Sequence, residues 1–378
     1  VSDFAALINH PRSNVQRYIA LIFTRLVDRH PMVVLKLQQL GLITIALGKA
    51  ANDDQVSVQQ AFVTLLLRVF SSPVRDFNPL EGPKGDKKQH RQIVQNLVAL
   101  LGSENEELVL QCLKLLVLTP LGSESTQILR ENDAFSKLVS LCDSRSSRAA
   151  ALDLLLLWCQ KEAFLPEFAP ATILTIVKDL FHQKKHETKA LSLLHVLLRA
   201  HHAPQSPKAT SQTETMTVVE ELHLLDDLLE YALSSALQPN HGPSSSSVLD
   251  TTLTSLTECL LLLAMCNETL LGLLLSKPGF MAATRLSEAA HRISMKMDDP
   301  SGTARASLQG LTLLHRLLVA MPTVLKSGLL EVDDLLNALP WQLEGAALQP
   351  LLECASAVMG SMAVAVRGCE SWKGRRCD

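Results

Sequence analysis

The sequence predicts an all-α fold built from stacked helical repeats, and three observations lead to it. Hydrophobic residues make up 47% of the 378 positions, Leu dominates them, and aromatics reach only 4%. Sheets favour Val, Ile, Thr and aromatic residues, so a Leu/Ala-rich, aromatic-poor chain points to helices. A short block also recurs: CLKLL at Cys112, ALDLL at Ala151 and ALSLL at Ala190, 39 residues apart each time. GLTLL follows at Gly310, 120 residues after Ala190 and close to three more units. Turn-forming residues, finally, punctuate the apolar runs at regular intervals. A helical unit cannot bury its apolar face alone, and stacking neighbours closes the core. The near-identical ALSLLHVLL from Ala190 and GLTLLHRLL from Gly310 are thus two helices with one packing role.

The N-terminal part shows the unit most fully. From Arg29 the chain reads RHPMVVLKLQQLGLITIALGKAANDDQVSVQQAFVTLLLRVF. The pattern predicts a short first helix ending at Gly41, a second helix, and an acidic turn at Asn52, Asp53 and Asp54. A third helix opens at Val58-Gln59 and carries the small Ala61. Gly41 suits a sharp turn because Gly takes φ > 0 without strain. The Asn/Asp cluster offers N-caps for the third helix. Asn14-Val15-Gln16 repeats the Val-Gln helix start.

Later units vary the theme. ILRENDAFSKLVSL from Ile128 places Asn132-Asp133 at the turn, and these are the next best residues for a left-handed position. LSKPGFMAATRL uses Gly279 and VLKSGLLEVDDLL uses Gly328. The resulting division has N-terminal repeats over 1–77, a mobile Gly/Pro/Lys insertion over 78–90 and central repeats over 91–202. A second polar insertion occupies 203–216. Degenerate repeats fill 217–368 with a Ser/Pro loop at 239–247, and a disordered tail covers 369–378.

The stretch from Arg29 closely resembles an armadillo repeat, and a period near 40 fits armadillo or HEAT arrays better than the ~34 and ~33 of tetratricopeptide and ankyrin repeats. The resemblance implies a right-handed α-solenoid of degenerate armadillo/HEAT-like repeats, of about eight units. It also implies a concave groove lined by the third helices, where solenoids commonly bind peptides or helices.

Each repeated block has a polar third letter: Lys114, Asp153, Ser192 and Thr312. Four apolar neighbours bury one helix face, so these side chains point away from the core and are the candidate partner-binding ladder. Armadillo proteins that carry nuclear import cargo have Trp and Asn ladders on that helix. Here the Trp-like positions are the four polar residues, and the Asn-like positions hold Leu118, Leu157, Val196 and Arg316, which counts against an import receptor. In overall character the chain is similar to large, degenerate vertebrate armadillo-like proteins, some implicated in meiotic double-strand breaks. That likeness implies, as an alternative to a plain scaffold, a regulatory subunit of a nuclear chromosome-associated complex touching nucleic acid indirectly.

Enzyme grammar is missing: there is no G-x-S-x-G, H-E-x-x-H, G-x-G-x-x-G or Walker loop. A non-enzymatic protein follows, with no cofactor and no small-molecule substrate. His182 and His186, four apart at a helix end, lack a third ligand, so no metal is expected. His195 and His315 fill equivalent repeat positions without a nucleophile or orienting acid. Lys84, Lys87, Lys88 and Arg91, with His90, form a candidate basic patch for an anionic partner.

Lys and Arg total 35 against 38 acids, a net charge of -3, which gives no bulk attraction to nucleic acid. The apolar run from Cys259 to Leu275 is broken by Asn267 and Glu268 and falls short of the ~20 residues of a membrane span. The Asn267-Glu268-Thr269 sequon on such a helix reads as a chance match. Most of the eight cysteines (Cys112, Cys142, Cys159, Cys259, Cys266, Cys354, Cys369 and Cys377) lie in Leu-rich stretches, with no C-x-x-C pair. Together with the lack of a secretory start, this predicts reduced thiols in a cytoplasmic or nuclear protein. The opening at Val1 without Met points to a fragment or a processed chain.

Overall fold

The structure is a computed structural model that describes residues 6–74, 77–78, 80, 87–201, 224–233, 255–256, 258–260 and 262–263. Every regular element among the described residues is helical. The chain divides into two compact units, one ending at Ala169 and the other beginning at Pro170.

The first unit starts with a turn of 3-10 helix at Ala6–Asn9, followed by α1 (Ser13–Arg29), α2 (Val33–Gln39), α3 (Leu42–Asn52) and α4 (Val56–Phe70). The short α2 and the longer α3 are bent 81° from one another. Gly41 makes that corner at φ 66° and ψ 13°, as expected from the sequence. A Cβ there would meet open space, so what selects Gly is the left-handed backbone itself. The acidic turn works differently from the expectation. Asp53 accepts from the Gln55 N–H at 3.1 Å, inside the turn, and α4 begins after Gln55 with no side-chain cap.

The unit continues with α5 (Lys87–Leu101), α6 (Glu106–Leu118), the short α7 (Thr126–Glu131), α8 (Ala134–Asp143) and α9 (Arg148–Cys159). Asp133 takes the left-handed corner between α7 and α8 at φ 54°, doing for a carboxylate residue what Gly41 does earlier. Asn105 caps α6: its side-chain oxygen accepts from the N–H of Glu107 at 3.0 Å and of Leu108 at 3.2 Å. Glu106 and Glu107 add negative charge at the helix's positive end. Asn105→Ala is expected to lower stability by about 1 kcal/mol, read as a lower midpoint in urea with an unchanged slope. An unchanged midpoint would remove the cap from the account.

Two layers result. The helices α1, α4, α6 and α9 pack side by side in that order, each against the next. Behind them α3, α5 and α8 form a second row, α3 against α4, α5 against α6 and α8 against α9. These are the third and second helices of successive armadillo/HEAT-like repeats, with α2 and α7 as the short first helices. Polar links repeat with the same spacing. Arg68 meets Asp28 at 3.6 Å, and the Gln38 side-chain amide donates to the Asn78 carbonyl at 2.7 Å. Arg91 pairs with Glu131 at 2.5 Å, and Lys161 donates to the Leu121 carbonyl at 2.7 Å. Each joins residues 40 positions apart, so each ties one repeat to its neighbour. Arg130 holds Glu167 with two hydrogen bonds, one of them at 2.8 Å, and lowers its carboxyl below the ordinary range.

The C-terminal end of this unit is sealed by aromatics. Phe135 of α8 meets Trp158 of α9 edge-on at 5.4 Å, and Phe164 and Phe168 after α9 at 6.0 Å and 5.2 Å. Trp158 and Phe164 are themselves 5.7 Å apart, and the Lys161 ammonium lies 5.3 Å above the Phe164 ring.

The second unit contains α10 (Pro170–His182), α11 (Glu187–His201) and α12 (Leu224–Leu233), with α10 packed on both α11 and α12. Phe181 and Tyr231 meet edge-on at 5.8 Å. Burial, with the Glu187 charge nearby, pushes the Tyr231 hydroxyl up to about 12.

Two boundaries differ from the expected division. Residues 78–90 were expected to be one mobile insertion, yet Asn78 is bonded to Gln38, Leu80 is buried, and α5 already begins at Lys87. The stretch 91–202, expected as one run of repeats, contains the boundary between the two units after Ala169; the unbroken 39-residue pattern gives no sign of it. The insertions expected over 203–216 and 239–247, the tail 369–378 and the turns at Gly279 and Gly328 lie outside the described residues. Among the described residues no single helix is long and apolar enough to cross a membrane; the pair α2 and α3 reaches the length only together, across its sharp bend.

Candidate functional site

In the first unit, the third-helix layer α1–α4–α6–α9 presents the candidate surface. Lys114 lies on α6 and Asp153 on α9, both exposed, with buried Leu113, Leu115 and Leu116 around the one and Leu152, Leu154 and Leu155 around the other. Since α6 packs against α9, these two ladder positions occupy neighbouring helices of one surface. Ser192 lies on α11 in the second unit, half-buried, with its hydroxyl donating to the Thr188 carbonyl at 2.9 Å. Thr312 lies outside the described residues.

Helical phase then decides what flanks the ladder. Residues three and four positions on share a face with it. On α6 these are Val117 and Leu118, 40% and 41% exposed. On α9 they are Leu156 and Leu157, both half-buried. On α4 the same phase brings Thr64, half-buried Leu67 and exposed Arg68, and on α1 it brings exposed Leu21 and Arg25. The surface is therefore an apolar row across α4, α6 and α9, with polar rungs at Lys114 and Asp153 and arginines toward α1. Sequence reasoning had Leu118 and Leu157 in hand, but as positions where an Asn clamp is missing. The available signal was that Leu fills them twice in succession on the face opposite the core.

Lys87, Lys88 and Arg91 belong to α5, and the Arg91 guanidinium is taken up by Glu131. Lys84 lies outside the described residues. His90 has Nε2 3.1 Å from the Ser125 hydroxyl, facing its own fold.

The histidines differ from expectation too. The helix α10 ends at His182, and His186 follows in a left-handed turn at φ 57°, so the two do not share a helix face. His182 instead has Asp227 at 3.7 Å. His195, read as lacking an orienting acid, has Glu258 Oε2 2.5 Å from its Nε2. That partner is 63 residues away, beyond the reach of local pattern. His315 lies outside the described residues. Among the described residues no group of three or more His, Cys, Asp or Glu is gathered as a metal ion would require.

The described cysteines are inert. Burial raises the Cys142 and Cys159 thiols to about 12 and those of Cys112 and Cys259 above the ordinary range. Each is therefore a protonated apolar filler, a weak nucleophile and a poor metal ligand.

The geometry defines a class: an all-helical stack of armadillo/HEAT-like layers with an open, partly apolar third-helix surface. No family model and no curated protein matches the chain. Among solved structures it is similar to a designed armadillo repeat protein in complex with a (KR)4 peptide, at 16% identity and a TM-score of 0.46, over 67% of this chain and 98% of that one. It is similar to a chain in a structure of the interaction between cadherin and beta-catenin, at 13% and 0.46, over 96% and 68%. It is also similar to a chain of the Kap95:Nup1 complex, at 11% and 0.44, over 96% of this chain but only 42% of that one. The comparisons lend no support to the meiotic likeness.

Proposed function

We propose that the protein is a non-enzymatic scaffold that holds partner proteins as peptides or helices along its third-helix layer. The observation that carries this reading is the apolar row of exposed Val117 and Leu118 and half-buried Leu156 and Leu157 beside Lys114 and Asp153, on a face that the core leaves open. Apolar side chains flanked by fixed polar groups are what recognition of a peptide or an amphipathic helix needs. The buried, free thiols at Cys112, Cys142, Cys159 and Cys259 suit a reducing compartment, cytoplasm or nucleus.

The test compares the parent chain with Lys114→Glu/Leu118→Glu/Leu157→Glu by affinity capture and mass spectrometry. All three residues lie on the open face, so helicity and melting are expected to be nearly unchanged. Prey lost only from the triple variant, with its circular dichroism intact, supports the reading. Prey retained in full by a folded variant would sink it.

A further inference from the structure

Two turns in neighbouring repeats are built alike and carry different chemistry. Before α4, the Asp53 carboxylate accepts from the Gln55 N–H at 3.1 Å, and Gln55 leads into the helix. Before α6, the Ser103 hydroxyl accepts from the Asn105 N–H at 3.2 Å, and Asn105 leads into the helix. Asp53 and Ser103 thus fill one position of the repeat, each three residues ahead of the first helical residue. At Asp53 that position is anionic and matched, with the Lys49 ammonium 3.6 Å away. At Ser103 it is neutral, with a cation beside it. The Lys137 ammonium of α8 stands 3.9 Å from the point that a Cβ on Gly102 would occupy, next to Ser103. Among the described residues nothing pairs with that ammonium, and nothing accepts the Ser103 O–H.

The sequence after the turn says what supplies the anion. Ser103 is followed by Glu104, Glu106 and Glu107, and no other serine or threonine of the chain has carboxylates at both the first and third following positions. All three glutamates are exposed. Kinases choose substrates partly by charge pattern, and carboxylates after the serine suit one whose substrate groove is basic. We propose that Ser103 is a phosphorylation site for an acidophilic serine/threonine kinase, and that its phosphate takes the place Asp53 fills one repeat earlier, with Lys137 as counter-ion. In the transfer the Ser103 Oγ attacks the γ-phosphorus of ATP, the bond from that phosphorus to the β,γ-bridging oxygen breaks, and ADP leaves. The hydroxyl proton passes to the kinase's catalytic carboxylate. Repulsion between the phosphate and the three glutamates is weakened by water and salt, because they face solvent, whereas half-buried Lys137 is screened less. The positive end of α6 adds to the attraction. Lys137 belongs to α8, which packs on α9, so the modification fastens the turn before α6 to the next repeat. It joins the two repeats that carry Lys114 and Asp153.

The test incubates the full chain with ATP and the catalytic subunit of a kinase that reads carboxylates one and three residues past its serine. Mass spectrometry is expected to find phosphate on Ser103. Ser103→Ala should lose most of the incorporation, and Glu104→Gln/Glu106→Gln should slow it about tenfold. The Asn105 cap ties the turn to α6, so Asn105→Ala should speed the modification with the acidic pattern intact. The phosphorylated chain should melt about 2–4 °C above the unmodified one, and Ser103→Asp should show part of that rise. Lys137→Met should abolish the difference between modified and unmodified chains while being phosphorylated at the parent's rate. Phosphate on other residues only would overturn the proposal. So would a chain modified at Ser103 whose melting is unmoved, or moves without regard to Lys137.

Discussion

Leu193→Asp is expected to lose the cooperative melting of the helices in the second unit, while Ser192→Asp, its immediate neighbour, melts like the parent. Leu193 is fully buried on α11, and the helix that packs on it, α10, presents Ile173, Leu174 and Val177 to the core. A carboxylate placed there has no partner, and the penalty for an unpaired buried charge is several kcal/mol, comparable to the whole stability of a small unit. Ser192 is half-buried with its hydroxyl bonded within its own helix, so a carboxylate there keeps its water. The buried aspartate has a raised folded-state pKa, so its folded form favours the proton. The lost stability is therefore smallest at acid pH, below the unfolded value near ~4, and grows as pH rises toward neutrality. Circular dichroism melts at acid and neutral pH check all of this. A Leu193→Asp chain that melts with the parent at neutral pH would mean that the helical register of α11 is wrong.

Trp158→Ala is expected to destabilise the first unit by about 3–5 kcal/mol, among the largest effects available from a truncation to Ala. Trp158 is fully buried and meets Phe135 and Phe164 edge-on. The side chain is the largest in the cluster and packs against two of its other rings, so its removal leaves a void that helices fixed by their neighbours close only in part. Trp158→Phe keeps an aromatic edge for both partners and should recover more than half of the loss. The measurement is urea denaturation followed by the helical signal, since the substitution removes one of only three tryptophans as a fluorescence probe. A loss below about 1 kcal/mol for the alanine variant would show the cluster to be a loosely packed rim rather than a seal.

The repeat was legible because its signals are local. Gly41 and the Asn132-Asp133 pair announced left-handed corners, and both corners are there, at Gly41 and at Asp133. The polar third letter of each block marked the open face of α6 and α9, since four leucine-class neighbours leave a helix only one way to turn. The start of α5 was missed because Lys87-Lys88-Gln89-His90 is polar and the N-cap signal before it, Asp86, sits in a Gly/Pro/Lys run that reads as loop. Arg91 looked available because its partner Glu131 is a full repeat away, and Glu258 against His195 is more distant still. The apolar row at Val117 and Leu118 was hidden by a run of leucines that reads as core throughout. Only the phase of α6 separates the residues facing inward from those facing out.

The 40-residue links among the described repeats have a mechanical consequence. Asp28 with Arg68, Gln38 with Asn78, Arg91 with Glu131 and Leu121 with Lys161 each span a single step of the array. Such a body behaves like a stack of leaves hinged only to the next leaf. A twist imposed on one layer is handed on stepwise and diluted at each joint, so a partner pulling on α9 changes the pitch beside it first and reaches α1 last. Compliance of this sort, spread over every joint and concentrated at none, lets an extended surface fit ligands of slightly different length without any layer coming apart.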